Sequence, residues 1–338
     1  MGMMSKDIGI DLGTSNIRIY VKGKGVVLSE PSVVAINKKT REILAVGTQA
    51  KEMLGRTPDN IIAVKPIKDG VIADLAATKM LVQTLVSRVI PKSIFSKPRI
   101  LISIPSGITD VEERAVESVS YKSGARSAYL IEEVMAAAIG SKLKVEQPEG
   151  TMIVDIGGGT SEMAVLSLGG IVATNSIKLA GEKMDIDILN YIKNKYNVLI
   201  GISEAEEVKK QIGAATSTMT DDKLNIKGRD LISGLPKTIT VTSTDINYAI
   251  ADSLNEILKV IVLTLEQTPP ELSADIMETG IVLCGGVAML KNIDRYISEN
   301  TGIPVYVADN PSECVVRGVG ATLENMEILK KIVKNRRR

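Results

Sequence analysis

Two short acidic, glycine-rich segments are the residues of this sequence best suited to chemistry. Residues 11–16 read DLGTSN and residues 155–160 read DIGGGT, and each segment lies between two apolar runs. This pattern predicts a strand, a tight turn and a second strand. Backbone N–H groups in such a turn bind anions, and glycine lets phosphate oxygens approach the backbone closely. Asp11 and Asp155 repel phosphate, so they suit a hydrated Mg²⁺ instead.

The repetition of this pattern decides between two interpretations. Either copy alone could be an ordinary hairpin with an Asp/Gly turn, which many antiparallel strands have. Two similar copies that face one another would hold a nucleotide polyphosphate between two related halves of the molecule. We therefore favour the second interpretation.

Composition bounds the chemistry that the chain can perform. Its 338 residues are enough for two domains, and 44% hydrophobic with 24% charged residues is typical of a globular protein. The chain has no histidine, which excludes histidine-based triads, histidine general bases and histidine-ligated metals. A net charge of +1 and 3% aromatic residues give no argument for a nucleic-acid partner.

The cysteines and the hydropathy pattern bear on the compartment. Cys284 and Cys314 both lie among apolar residues, so we expect buried side chains in a reducing cytoplasm and no disulfide. No apolar run reaches the ~18 residues that cross a bilayer. Residues 1–6 are too few for a signal peptide before the first strand. We expect the protein to stay inside the cell.

Strands alternate with helices along both halves of the chain, which predicts the α/β class. Helices are predicted at residues 131–143, 182–196, 203–212 and 245–265, and another begins at Ala288. These helices must hold the two turns and the residues between them in place.

Three glycine turns in order make the sequence similar to a known superfamily. Residues 11–14, 155–160 and 285–288 (GGVA) resemble the phosphate-1, phosphate-2 and adenosine motifs of actin-like ATPases. Further segments resemble MreB, the family of bacterial actin homologues, in family order over essentially the whole chain. They are residues 29–35 (SEPSVVA), 66–74 (PIKDGVIAD), 131–140 (IEEVMAAAIG), 180–185 (AGEKMD) and 268–272 (TPPEL).

The resemblance implies an actin-like ATPase fold. Two related RNase H-like domains each carry a smaller inserted subdomain, and the nucleotide lies in the central cleft. The implied subdomains are IA (residues 1–32, 70–145 and 315–338), IB (33–69), IIA (146–180 and 245–314) and IIB (181–244).

The resemblance also implies ATP and Mg²⁺ as cofactors and assigns site residues. Asp11 and Asp155 would hold Mg²⁺ through its waters, and Glu133 would orient the attacking water with help from Thr160 and Asp155. The phosphates would be cradled by Gly13, Thr14, Ser15, Asn16, Gly157, Gly158, Gly159 and Thr160. Glu206 and Lys209 would bracket the ribose and adenine, and Gly285 and Gly286 would pack under the base.

Two of these assignments have structural alternatives. Without histidine a carboxylate is the natural group to position water, yet Glu133 could also be an exposed residue at a helix start. Glu206 and Lys209 could be a surface helix pair worth about 0.2–0.5 kcal/mol. Val134 stands where the family usually has proline, so the helix start lacks a preset φ and the rate of hydrolysis is left open.

Two segments could attach the protein to an anionic lipid membrane. Ile94 and Phe95 lie between Lys92 and Lys97, which suits insertion of a loop tip into the lipid interface, although Phe95 could also fold back onto the core. The C-terminal Arg336, Arg337 and Arg338 could bind an anionic leaflet at about 1 kcal/mol each, or form a solvated tail.

The resemblance implies a cytoskeletal ATPase that determines cell shape. Its partners would be further copies of itself in protofilaments paired antiparallel, the inner face of the cell membrane, and membrane-bound shape or wall-synthesis proteins. The alternative is a chaperone-type ATPase, which would need a peptide-binding domain after the nucleotide domain. A sugar or acetate kinase is a third possibility.

Overall fold

A computed structural model describes residues 7–90, 97–216 and 221–325 of the chain. The strands in these ranges are β1 (Ile8–Leu12), β2 (Asn16–Val21), β3 (Gly25–Pro31), β4 (Val34–Asn37), β5 (Ile43–Val46), β6 (Ile61–Val64), β7 (Ile67–Lys68), β8 (Val71–Ile72), β9 (Arg99–Ile104), β10 (Ser127–Glu132), β11 (Thr151–Ile156), β12 (Ser161–Ser167), β13 (Gly170–Ile177), β14 (Val198–Leu199), β15 (Lys223–Asp230), β16 (Pro236–Thr242), β17 (Ile281–Cys284) and β18 (Val305–Val307). The helices there are α1 (Thr48–Glu52), α2 (Leu75–Val89), α3 (Asp110–Lys122), α4 (Glu133–Gly140), α5 (Gly181–Tyr196), α6 (Ile202–Ile212), α7 (Ser243–Glu266), α8 (Pro270–Thr279), α9 (Ile293–Thr301) and α10 (Cys314–Glu324).

Two five-stranded sheets share one topology. The first has the order β10-β9-β1-β2-β3 and the second the order β13-β12-β11-β17-β18. In each sheet the first strand in the chain pairs antiparallel with the second and parallel with the fourth. The two Asp/Gly turns therefore join equivalent hairpins, β1–β2 and β11–β12. The similarity of two short segments extends to whole sheets, which confirms the predicted α/β class and its two related halves.

The central strands are apolar because helices cover both faces of each sheet. All residues of β1 and β11 are buried, as expected for strands paired in parallel within a covered sheet. The predicted helix at 245–265 is confirmed as α7, whose buried stripe includes Ile246, Ile250 and Ile257. This helix packs on β12 and β13 and so supports the second hairpin.

Smaller sheets are inserted between elements of the two large ones. The sheet β5-β4-β6 and α1 follow β3, whereas the sheet β14-β15-β16, α5 and α6 follow β13. The first insertion ends beside the first Asp/Gly turn, where Gly70 N bonds Thr14, and the second begins beside the second turn, where Gly181 N bonds the carbonyl of Gly157. The exact division into four subdomains remains a prediction.

The helix that begins with Glu133 is shorter than predicted. Ile131 and Glu132 belong to β10, since they pair in parallel with Ser103 and Ile104 of β9. The ladder hydrogen bonds of this pairing override the helical pattern, so the prediction of a helix from residue 131 to 143 was wrong at its start, and α4 also ends earlier, at Gly140.

The helix predicted at Ala288 also begins later. Val287–Met289 form a short 3-10 turn, and the regular helix α9 starts at Ile293 after Asn292, whose φ is 60°. Asparagine is one of the few residues that adopt this left-handed conformation readily, and it interrupts the helix.

Close packing at two glycines fixes the position of α4. A Cβ at Gly140 would collide with the carbonyl of Cys314, and one at Gly318 would collide with the carbonyl of Ala136. The backbones of α4 and α10 therefore touch, as only glycine permits. This contact holds the middle and the end of α4, and fully buried Val134 packs its start into the core where proline is absent.

No helix within the three described ranges is both long and apolar enough to cross a membrane. Ile94, Phe95, Arg336, Arg337 and Arg338, which carry the two membrane predictions, lie outside the described residues. Both predicted cysteine placements are confirmed, because Cys284 and Cys314 are free thiols and buried.

Candidate functional site

A cavity of about 550 Å³ lies between the two large sheets at the Asp/Gly turns. Every residue predicted to contact Mg²⁺, phosphate, water, ribose or base lines this one cavity. These are Asp11, Gly13, Thr14, Ser15, Asn16, Glu133, Asp155, Gly157, Gly158, Gly159, Thr160, Glu206, Lys209, Gly285 and Gly286. Residues far apart in the sequence are thus brought to one place by the duplicated fold.

The two turns touch each other. A Cβ at Gly159 would lie 2.6 Å from Thr14 Oγ1 and 2.9 Å from Thr14 Cβ, and a Cβ at Gly158 would collide with Ser15. Glycine is therefore required at both positions for the turns to approach. Thr14 Oγ1 also accepts a hydrogen bond from Gly70 N at 2.9 Å, which fixes the side chain that Gly159 faces.

Asp11 and Asp155 form the acidic base of the cavity, where they are 5% and 9% exposed. Burial raises the pKa of Asp11, although Arg18, with Nη1 3.3 Å from Asp11 Oδ2, acts in the opposite direction. Burial, and then the charge of Asp11, raise the pKa of Asp155 to about 7. Arg18 neutralises only part of the charge of these two carboxylates, so a divalent cation fits here.

The kind of cation follows from the ligands. Among residues 7–90, 97–216 and 221–325, no three acidic, cysteine or histidine side chains converge as a metal cage. Mg²⁺ keeps several waters and needs only one or two carboxylates with substrate phosphates. The residues present therefore fit Mg²⁺ held through water by Asp11 and Asp155.

Glu133 begins α4 and stands half-buried on the cavity wall. The alternative of an exposed helix-start glutamate is therefore wrong. Burial raises the pKa of Glu133 well above its ordinary value, and the neighbouring charges of Glu162 and Asp11 raise it further. The carboxylate faces the same space as the two turns, which is the position that a water-orienting group needs.

Glu162 is a buried acid beside the site that the sequence interpretation missed. It is 1% exposed, its Oε2 accepts from Ser106 N at 3.4 Å, and its Oε1 has no hydrogen-bond partner among the described residues. Burial, and then the charge of Asp155, raise the pKa of Glu162 to about 8.

The sequence interpretation missed Arg18 as well, although the pairing register of the two hairpins identifies both residues. Arg18 lies directly opposite Asp11 across β1 and β2, and Glu162 lies directly opposite Asp155 across β11 and β12. Each residue follows its aspartate at the same offset along the chain. The two equivalent positions carry opposite charges.

The predicted ribose and adenine residues are already paired with protein groups. Glu206 Oε2 accepts from Lys51 at 2.8 Å, and Oε1 accepts from Lys210 at 2.6 Å. Burial alone would raise the pKa of Glu206, but the bonds from Lys210 and Lys51 outweigh it and lower that pKa to about 2. Lys209 Nζ lies 2.6 Å from Asp185 Oδ1, so the alternative of a Glu206–Lys209 surface pair is wrong.

Two ion pairs connect the inserted segments across the cavity. Lys51 on α1 bonds Glu206 on α6, and Lys65 bonds Glu182 at the start of α5 at 2.7 Å. Glu182 Oε1 also accepts from Ser15 Oγ at 3.0 Å. The first turn is thus tied to both insertions, a connection that the sequence interpretation did not include.

The wall predicted to lie under the base is narrow and apolar. Gly285 has a φ of 86°, and a Cβ there would collide with Asp155 Oδ1 and the carbonyl of Ile156. Gly286, Met289 and Leu290 continue the lining. Glycine at 285 therefore lets this wall stand directly against the second turn.

Comparisons with known proteins agree with this architecture. A family model described as MreB/Mbl protein matches residues 5–331. The chain is 48% identical over 329 residues to the cell shape-determining protein Mbl of Bacillus subtilis, an alignment that spans 97% of this chain and 99% of that protein. It is 47% identical over 332 residues to the cell shape-determining protein MreB of Escherichia coli, spanning 97% and 96%.

A solved structure shows the same fold. The crystal structure of MreB5 of Spiroplasma citri bound to ADP superposes with a TM-score of 0.92 at 39% identity and covers 96% of this chain and 98% of that one. The duplicated sheets, the facing turns and these matches lead to one conclusion. The chain belongs to the MreB/Mbl family.

Proposed function

We propose that this protein is an actin-like ATPase that binds ATP with Mg²⁺ between its two Asp/Gly turns and polymerises into membrane-associated filaments that determine cell shape. The observation that carries the proposal is that both turns and all other predicted nucleotide residues line one cavity. The MreB5 relative was solved with ADP and with AMPPNP, which supports a nucleotide as the ligand. Membership of the family argues against the chaperone-type and kinase alternatives.

The residues divide the chemistry among them. Mg²⁺ held through water by Asp11 and Asp155 would neutralise charge on the phosphates, and the backbone N–H groups of the two turns would bind phosphate oxygens. Glu133 would accept a hydrogen bond from the attacking water and orient it, with Thr160 beside it. Positioning of this kind supplies most of what phosphoryl transfer requires from a protein. We propose that hydrolysis is slow and coupled to assembly.

Ribose and base binding would require an exchange of partners. Glu206 and Lys209 line the cavity, but their charged ends are bound to Lys51, Lys210 and Asp185. A ribose hydroxyl that approaches Glu206 would compete with Lys51. Nucleotide binding would in this way be sensed by the ion pair that joins the two inserted segments.

An exposed apolar hairpin end supports self-association. Ile232 is 84% exposed and Leu235 is 65% exposed, and both lie in the turn between β15 and β16. Clustered apolar side chains at a hairpin tip are costly in water and typical of protein contacts. We propose that this tip, called the β15–β16 tip, contacts a second copy within a protofilament.

The sequence resemblance alone supports three further proposals. They are antiparallel pairing of protofilaments, attachment to the inner face of the cell membrane, and contacts with membrane-bound shape or wall-synthesis proteins.

Sedimentation with ATP, ADP or no nucleotide, with and without anionic vesicles, tests the proposal. We expect ATP-dependent pelleting of the parent and less pelleting of Ile232→Ser. Leu168→Ser, at another exposed apolar turn, serves as the matched control because Leu168 is 71% exposed. Glu133→Ala should bind nucleotide but release no phosphate. A parent that remains monomeric with ATP at high concentration would refute the filament proposal.

A further inference from the structure

Arg18 differs from the other basic residues that line the cavity. Among the described lining residues, the lysines pair with acids that are not assigned to Mg²⁺, as in Lys51–Glu206, Lys65–Glu182, Lys209–Asp185 and Lys210–Glu206. Arg18 pairs instead with Asp11, one of the two carboxylates assigned to Mg²⁺. It is the basic side chain placed at the acidic base of the cavity.

Among the residues that the structure describes, Asp11 is the one hydrogen-bond partner of Arg18, so most of the guanidinium remains available. Nη1 lies 3.3 Å from Asp11 Oδ2, which is longer than the usual 2.7–2.9 Å of a charge-assisted bond. A guanidinium has five N–H donors in a planar fork that matches phosphate oxygens. The Arg18 side chain is 16% exposed and lines the cavity, so it can turn toward a ligand without leaving the protein.

The charge around Arg18 shows why a cation is needed at this place. Besides burial, the charge of Asp11 raises the pKa values of Asp155 and Glu133, and Glu162 is in turn affected by the charge of Asp155. A nucleoside triphosphate brings several further negative charges into the same space. At the equivalent position of the other hairpin the residue is Glu162, so the first hairpin alone offers a cation to the phosphates.

We propose that Arg18 is a polyphosphate-binding residue. Its guanidinium rests on Asp11 while the cleft is empty and donates hydrogen bonds to phosphate oxygens when a nucleoside polyphosphate enters. The proposal rests on the proposed nucleotide binding and deepens it, because it names the residue that makes the site prefer a polyphosphate over a nucleoside. Arg18 therefore supports polyphosphate binding even when no Mg²⁺ is present.

Calorimetric titration of ATP and of adenosine, each in EDTA and in Mg²⁺, tests this role. Arg18→Leu should weaken ATP binding in EDTA by about 10- to 150-fold, the range expected for loss of a charged hydrogen bond, and should change adenosine binding less than about threefold. Arg18→Lys, which keeps the charge but loses the fork, should recover part of the loss. Arg88→Leu is the matched control, because Arg88 pairs with Glu30 at 3.1 Å outside the cavity.

The adenosine titration separates a binding role from a folding defect. An Arg18→Leu variant that binds ATP in EDTA as tightly as the parent overturns the proposal. So does one that loses ATP and adenosine affinity equally, since that result indicates a distorted cleft. If the parent binds neither ligand, the proposed nucleotide binding itself fails. If the parent binds both, the effect of Arg18→Leu tests the role of Arg18 alone.

Discussion

Gly159→Ala is the substitution that most directly tests the contact between the two turns. The new Cβ would lie 2.6 Å from Oγ1, 2.8 Å from Cγ2 and 2.9 Å from Cβ of Thr14, whereas ordinary contacts begin at 3.4 Å. Rotation of Thr14 about χ1 gives only partial relief, because it can move one of the two branches away at most and its Cβ stays in place. The turns must separate by at least about 0.5 Å, the difference between the 2.9 Å contact with Thr14 Cβ and the ordinary 3.4 Å.

The cost of this separation should appear in nucleotide affinity. Overpacking of a well-fitted contact costs about 1–3 kcal/mol. The empty protein can relieve it by opening the cavity, but a nucleotide that binds both turns requires them at their original separation. We therefore expect the Kd for Mg²⁺·ATP to rise about 5- to 150-fold, and the Tm of the nucleotide-free protein to change little.

Titration of a fluorescent ATP analogue measures this effect. Gly201→Ala is the matched control, because a Cβ at Gly201 meets nothing within 4 Å and the φ of Gly201 is −80°. Thr14→Ser in the Gly159→Ala background removes Cγ2, keeps the hydroxyl that bonds Gly70, and should restore part of the affinity. An unchanged Kd for Gly159→Ala would refute the claim that the turns act as a closely fitted pair.

Two further changes address the acid and the ion pair beside the turns. Burial and the charge of Asp155 raise the pKa of Glu162 to about 8, so the folded state loses stability as pH rises from the unfolded pKa near 4.5 toward 8. Glu162→Gln should therefore raise the Tm, measured in EDTA without nucleotide, more at pH 8 than at pH 5. An equal gain at both pH values would contradict this reasoning. Lys51→Ala should slow release of a fluorescent nucleotide about 1.5- to 5-fold in stopped flow, because Glu206 is then free to bond the ribose and a partly exposed pair is worth about 0.2–1 kcal/mol. Lys210→Ala removes the other partner of Glu206, leaves Lys51 on Oε2 and should not slow release, and equal effects of the two changes would contradict competition between Lys51 and the ribose.

The local parts of the site were predictable from the sequence because local sequence encodes them. Glycines at close approaches and apolar runs around Asp11 and Asp155 specify strand, turn and strand, and the structure places both turns as expected. Arg18 and Glu162 were also within reach, since the register of a tight hairpin follows from its turn. Both residues lie on the second strand of their hairpin, outside the glycine motif that identifies the turn.

The connections across the cavity were not predictable in this way. Lys65 and Glu182 are 117 residues apart and Lys51 and Glu206 are 155 apart, in segments with no pattern that relates them. The start of α4 was misplaced for a similar reason, because the ladder between β9 and β10 decides the backbone at Ile131. Tertiary contacts determine both features, and periodicity in one segment does not report them.

The two equivalent hairpins present different charges to a bound cation. On the first hairpin, Arg18 faces Asp11 and neutralises part of its charge. On the second, Glu162 faces Asp155, so two buried acids with raised pKa values lie next to each other on that side. A divalent cation is therefore needed more at Asp155 than at Asp11, while the cationic donor for the phosphates is already built into the first hairpin. The two halves share one topology, and the opposite charges at one equivalent position allow them to bind different parts of the same ligand.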